Sequence, residues 1–208
     1  MMHERQSKET WLVLALALPL IAVGCAGEPA AEIDAASAAL ESARLAEAEV
    51  YAPEAMQTAE AAHAELQTEL AAQKERFALG RSYDKTRELA ADAQRASEEA
   101  VGAAHAGKLM AREEAMNMLA ELRTSLDEVE TMLDNAPQGK GSAADLAALR
   151  GDLGAVDVAL TDIEQAISAQ RFIDAVQKAQ AAMASTAEIR SEIERAQEAQ
   201  RAAKSRRG

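Results

Sequence analysis

AMNMLAELRTSLDEVETML, residues 115–133, sets Ala115, Leu119, Leu122, Leu126, Val129 and Leu133 three or four places apart, with mostly charged and polar residues between them. Alternating threes and fours give a repeat of about 3.5 residues, the stripe that joins helices into left-handed, coiled-coil-like hairpins. Two more stripes follow it. Leu146, Leu149, Leu153, Val156, Leu160, Ile163 and Ile167 form one; Phe172, Ala175, Ala179, Ala182, Thr186, Ile189, Ile193 and Ala196 form the other. Between the first two lies Asp134-Asn135-Ala136-Pro137-Gln138-Gly139-Lys140-Gly141, a breaker cluster followed by Ser142 and Asp145, which fit a capping box. A second turn is expected around Ser168 to Arg171, although that stretch has neither proline nor glycine. Residues 108–200 thus read as a three-helix, coiled-coil-like region.

Upstream, Met56, Ala59, His63, Leu66, Leu70, Gln73 and Phe77 keep the same spacing on a helix that Pro53 can open, since a first-turn proline gives up no needed hydrogen bond. Gly80 and Ser82 are expected to end it. Tyr83, Thr86, Ala90, Ala93, Ser97 and Ala100 begin the return helix, whose small side chains let two backbones approach closely. Gly102 and Gly107 are possible kinks, but if the helix continues to Leu133 it is a rod of ~75 Å at 1.5 Å per residue. A further helix is expected from Ile33 to Val50, so residues 33–107 form an N-terminal helical hairpin region. Tyr83 and Phe172 each follow a turn and precede small residues at matching offsets (Thr86 with Ala175, Ala90 with Ala179, Ala93 with Ala182), either an internal repeat or the sameness of alanine-rich heptads.

Composition agrees with an all-α class. Hydrophobic residues make up 49% but aromatics only 2%, and about a quarter of the chain is alanine. Alanine favours helix yet removes little apolar area from water, so stability must come from many thin contacts along long helices. The formal charge of −13 argues against a nucleic-acid partner, because phosphates would be repelled. The end of the chain departs from this acidity: Arg201, Lys204, Arg206 and Arg207 follow the last glutamate, Glu198, making 201–208 a basic tail.

No charged residue occurs from Trp11 to Gly27, and Leu12 to Ile21 has the length of a secretory apolar region, short of the ~20 residues of a transmembrane helix. Next comes Ala22-Val23-Gly24-Cys25. This step resembles the lipobox of bacterial lipoproteins, with Ala22 where leucine is usual and an electrically balanced segment where a positive one is customary. The resemblance implies a signal peptide over 1–24, cleavage after Gly24, acylation of Cys25 and a tether over 25–32. Cys25 is the only cysteine, and acylation gives an exported lone thiol a use. An uncleaved anchor helix with an incidental cysteine is the alternative, and it too leaves the body outside the inner membrane. Ala26 follows the cysteine, and a lipoprotein lacking aspartate at that place resembles those sorted to an outer membrane, in hosts that have two.

Val50-Tyr51-Ala52-Pro53-Glu54, Ala59 and the turn before Tyr83 together resemble the alanine-rich helical domain of unknown function 4398 of bacterial envelope lipoproteins, over roughly residues 33–100. Members usually have glycine two places before the aromatic and alanine three after it, where this chain has Gly80 three before and Thr86. Some relatives carry a peptidoglycan-binding module that has no counterpart here. The resemblance implies a location and a shape.

No enzyme site is expected. Glu60-Ala61-Ala62-His63 has the Glu-x-x-His spacing of helical di-iron bundles but no second copy, and His105 falls about two helical turns from His63 across the hairpin. Met110, Met116 and Met118 are expected to fill core, with Met132 and Met183 flanking the stripes. Neither a cofactor nor a metal is expected. The sequence therefore points to a lipid-anchored periplasmic spacer, scaffold or partner-binding module. The membrane would be its partner through the anchor, with envelope proteins or the cell wall beyond; an alternative is a chaperone or carrier that holds an apolar client between helices.

Overall fold

The structure, a computed structural model, describes residues 27–136 and 143–206. The leader 1–24, the cleavage step Ala22, Val23 and Gly24, the acylation site Cys25 and the cap residue Ser142 lie outside the described residues, as do Pro137 to Gly141. Six α-helices, and no strand, make up the described residues: α1 (Ala30–Leu45), α2 (Ala48–Tyr51), α3 (Pro53–Glu75), α4 (Asp84–Asp134), α5 (Ala143–Ser168) and α6 (Phe172–Ser205).

The spine is α4, 51 residues long and so ~76 Å from end to end. It runs unbroken through Gly102 and Gly107, and the boundary expected between residues 107 and 108 falls within it. Along its first half, α3 packs antiparallel and α1 parallel; along its second half, α5 packs antiparallel and α6 parallel. Two three-helix bundles therefore share one long helix.

Their cores differ as the side chains dictate. The first is thin, built on Ala36, Ala43, Ala59, Ala90, Ala93, Ala100 and Ala104 with Leu40, Met56 and Leu66 as the larger fillers. The second is leucine-rich: Leu122, Leu126, Val129 and Leu133 of α4 meet Leu146, Leu149, Leu153, Val156 and Ile163 of α5 and Ile189 and Ile193 of α6. Interhelix ion pairs such as Arg44–Glu60 (3.3 Å), Arg123–Glu164 and Arg190–Glu128 sit at the rim, where each contributes about 0–1 kcal/mol.

The buried positions of α4 are Thr86, Ala90, Ala93, Ser97, Ala100, Ala104, Ala111, Ala115, Leu119, Leu122, Leu126, Val129 and Leu133, with half-buried Gly107 filling the gap. Threes and fours alternate within each half, but Gly107, Ala111, Ala115 and Leu119 are three consecutive fours. Counting Gly107, thirteen steps span 133 − 86 = 47 residues, a mean of ~3.6 per step, so the seam stays on one face of a helix that need not supercoil.

Several expected boundaries move. The helix over Ile33 to Val50 is two helices: α1 begins at Ala30, within the expected tether, and the chain breaks at Glu47, which is left-handed at φ 60°. The break reverses the chain between α1 and α3 in a few residues and seats Ala48 against α4. Helix α3 stops at Glu75 and leaves Phe77 outside it and exposed. Tyr83 closes that end of the bundle instead, and Arg81 donates to the orphan carbonyls of Lys74 (3.0 Å) and Arg76 (3.1 Å). The turn expected at Ser168 to Arg171 is present, with Gln170 left-handed at φ 59°; the amides of Gln170 and Arg171 bond back to Ile167 and Ala166 in a Schellman closure. Ala196 is exposed, near the level at which α4 ends at Asp134. The basic tail is helical as far as Ser205, with Arg201 and Lys204 in α6 and Arg206 just beyond.

Met118, Met132 and Met183 pack against the second core as expected, but Met110 and Met116 face outward. At their level the seam is already filled by Ala111 and Ala115. The two aromatics that open the return helices occupy equivalent places. Tyr83 and Phe172 are both buried, and the residues fourteen further on, Ser97 and Thr186, are both buried with hydroxyls bonded to the carbonyl four residues back (2.7 and 2.9 Å).

Candidate functional site

Three features are distributed along the rod. The first is its beginning. Gly27 and Glu28 lead into α1 beside the α3–α4 turn, where Lys74 pairs with Glu28 at 3.4 Å. Cys25 is three residues before Glu28 in sequence. None of the described helices is long and apolar enough to cross a membrane.

The second feature is the joint between the bundles, where the Val50-Tyr51-Ala52-Pro53-Glu54 step becomes structure. Pro53 is the first residue of α3, and α2 lies across α4 at Gly107. There the two backbones are so close that a Cβ on Gly107 would come within 2.2 Å of the Tyr51 carbonyl oxygen. Lys108, the next residue, donates to the Glu47 carboxylate and holds its ammonium 5.5 Å from the centre of the Tyr51 ring. Hydrogen bonding to Glu47 raises the Lys108 pKa above its ordinary 10.5; partial desolvation opposes the shift, and the charge of Glu47 adds to it. From the same ring, the Tyr51 hydroxyl donates to the Gln170 carbonyl at 3.2 Å. One side chain thus ties the first bundle to the α5–α6 turn of the second. Sequence reading singled out Tyr51 and Gly107 separately, but their pairing is a contact across more than fifty residues with no local signature.

The third feature is a groove of about 490 Å³ on the outer side of the α5–α6 pair. Its floor is apolar and mostly small, with Ala155, Val156, Ala159, Ala181, Ala182 and Ile189. Its rim carries Asp152, Asp162, Glu188 and Glu192 against one cation, Lys178. A flat alanine floor between two helices admits the ridge of a third helix, and the rim favours a basic one. Sequence reading placed Val156, Ala182 and Ile189 in the core stripes but did not find this groove, because it depends on which flanks of α5 and α6 stay uncovered.

His63 is half-buried on α3, its Nε2 3.3 Å from the Ser37 hydroxyl oxygen, while Glu60 is taken up by Arg44. His105 is exposed on α4. Among the described residues, no three His, Cys, Asp or Glu side chains converge at metal-binding distance. Comparisons with protein-family models, with curated proteins and with solved structures each gave no match.

Proposed function

We propose that this protein is a non-enzymatic, lipid-anchored spacer of the bacterial envelope, fixed by acylated Cys25 to a membrane, in a two-membrane host the outer one facing the periplasm, and presenting a partner-binding groove at a distance. The lipobox-like Ala22 to Cys25 supports the anchor, and the likeness of residues 33–100 to the 4398 family supports the location. Two or three acyl chains at ~0.8 kcal/mol per buried methylene hold a protein on a bilayer essentially permanently.

The observation that carries the reading is the separation of the two ends. The chain enters beside the α3–α4 turn, whereas the groove lies alongside the last dozen or so residues of α4, as the Arg123–Glu164 and Arg150–Asp134 pairs fix. Along α4 that separation is ~60 Å. A photo-crosslinking residue at Ala181 in cells, compared with one at Glu121 on α4, tests the proposal. It predicts a discrete adduct with an envelope partner from Ala181 alone; identical or absent adducts from the two positions would contradict it.

The apolar part of the floor, Val156 and Ile189, favours a second reading, a carrier of an apolar client. That reading predicts binding of an apolar dye that is lost in Ala181→Glu, whereas a groove for a basic helix leaves the dye unbound.

A further inference from the structure

We infer that the α3–α4 turn is a second membrane contact, a small cationic-apolar foot that docks on an anionic lipid surface next to the acylated N-terminus. The inference rests on the reading of Cys25 as the anchor for its location, and on the turn itself for its chemistry.

Phe77 and Leu79 are the turn's two large side chains, and they are 79% and 86% exposed. An ill-formed loop would explain such exposure, but this turn is tightly built. Residues 78–80 form a 3-10 turn closed by the Gly80 amide on the Phe77 carbonyl at 2.8 Å. Arg81 clamps the carbonyls of Lys74 and Arg76. The Ser82 amide bonds to the side-chain oxygen of Gln73, a polar residue only 3% exposed, at 3.1 Å. The backbone is therefore held in a form that presents Phe77 and Leu79 outward, with Ala78 between them.

Charge and position identify the occupant. Arg76 and Arg81 flank the two apolar side chains, and among the described residues neither has a carboxylate partner, although the chain as a whole is at −13. Apolar tips beside an unpaired arginine suit the boundary between acyl chains and anionic headgroups, where the Phe77 ring and the Leu79 chain enter hydrocarbon and the Arg76 guanidinium stays at the phosphates. The Lys74–Glu28 pair places this turn at the end of the rod where the chain leads to Cys25. Acyl chains there bring the turn to the bilayer at high effective concentration, so a contact too weak to bind alone suffices to set orientation. With two contacts at one end, α4 is held upright and the α5–α6 groove points away from the membrane.

The test uses the full chain purified from membranes as Leu79→Cys, labelled with an environment-sensitive maleimide dye and reconstituted in phosphatidylglycerol-containing vesicles. Val158→Cys, an exposed position on α5, is the control. The expected result is a blue-shifted emission, quenched by a lipid-borne quencher, at position 79 and not at 158; Arg76→Glu, which leaves the Arg81 clamp in place, should weaken the shift. Water-like emission at position 79, equal shifts at both positions, or a shift that appears without vesicles and grows with protein concentration, as contact with a second copy would give, each overturns the foot. Labelling of the unsubstituted protein reports the anchor separately. Dye uptake by Cys25 marks failure of the acylation reading and, because the turn does not hold to a bilayer without the acyl chains, overturns the foot with it; water-like emission at position 79 with no uptake by Cys25 overturns the foot alone.

Discussion

Gly102 and Gly107 lie five residues apart on one helix, and the same substitution at each should change stability in opposite directions. At Gly102 an added Cβ has nothing within 4 Å, so Gly102→Ala gains helix propensity alone, about 0.5–1 kcal/mol. At Gly107 it would lie 2.2 Å from the Tyr51 carbonyl oxygen and 3.1 Å from its carbon. Ordinary contact needs roughly 1 Å more. Backbone cannot yield as a side-chain tip would, so α2 must lift away from α4 and strain the Glu47–Lys108 pair and the Tyr51–Gln170 bond with it. Overpacking of this kind costs about 1–3 kcal/mol, and after the propensity gain Gly107→Ala should be destabilised by roughly 1–2 kcal/mol. Thermal unfolding followed by far-ultraviolet circular dichroism reads the difference. Tm should rise by a few degrees in Gly102→Ala and fall by about 2–8 °C in Gly107→Ala, at about 2–4 °C per kcal/mol for a chain of this length. If both variants were stabilised alike, α2 would not be seated on α4 and the joint as described would be wrong.

Other consequences are open to the same measurements. Thr86 is fully buried and its hydroxyl has no partner among the described residues, so Thr86→Val should stabilise by about 1 kcal/mol, and a lowered denaturation midpoint would indicate that the hydroxyl is satisfied. Leu122 is fully buried in the leucine-rich core, and Leu122→Ala should cost about 2–5 kcal/mol in chemical denaturation. Tyr51→Phe removes only the bond to Gln170 and should cost about 0.5–1.5 kcal/mol while speeding amide exchange at the α5–α6 turn; unchanged exchange there would mean the bond does not couple the bundles. Because the folded-state pKa of Lys108 is raised, its contribution is fully present below 10.5 and is lost as pH rises through the folded-state value. The stability gap between the protein and Lys108→Met should therefore narrow at strongly alkaline pH and stay constant through the neutral range.

The helices themselves were legible because their apolar spacing is local and long. Leu119 to Leu133, Leu146 to Ile163 except half-buried Leu160, and Ala175 to Ile193 are buried where the stripes put them, and Pro53 opens α3. What could not be read locally is where a stripe runs out of neighbours. Phe77 and Ala196 continue their patterns in sequence, but α3 itself stops at Glu75 and α4 ends at Asp134, and both residues are exposed. The break at Glu47 was hidden for another reason. A non-glycine residue in the left-handed region costs about 1–2 kcal/mol and has no sequence mark, and here the contacts of Ala48, Tyr51 and Lys108 with the rest of the joint hold it. Two signals were present and unused: the consecutive fours at Ala111, Ala115 and Leu119, and a glycine, Gly107, kept in an alanine-rich helix at a cost of about 1 kcal/mol. The groove between α5 and α6 has no such signal, since exposed alanines on a helix flank look alike whether or not they line a floor.

Every functional statement turns on where the chain is held, and intact mass spectrometry of the protein isolated from its native membrane, beside a Cys25→Ser variant, measures that directly. A mature chain that begins at Cys25 and carries diacylglyceryl mass on its sulfur is expected, with the serine variant unprocessed. An isolated protein that retains residues 1–24 and a free Cys25 thiol would contradict it.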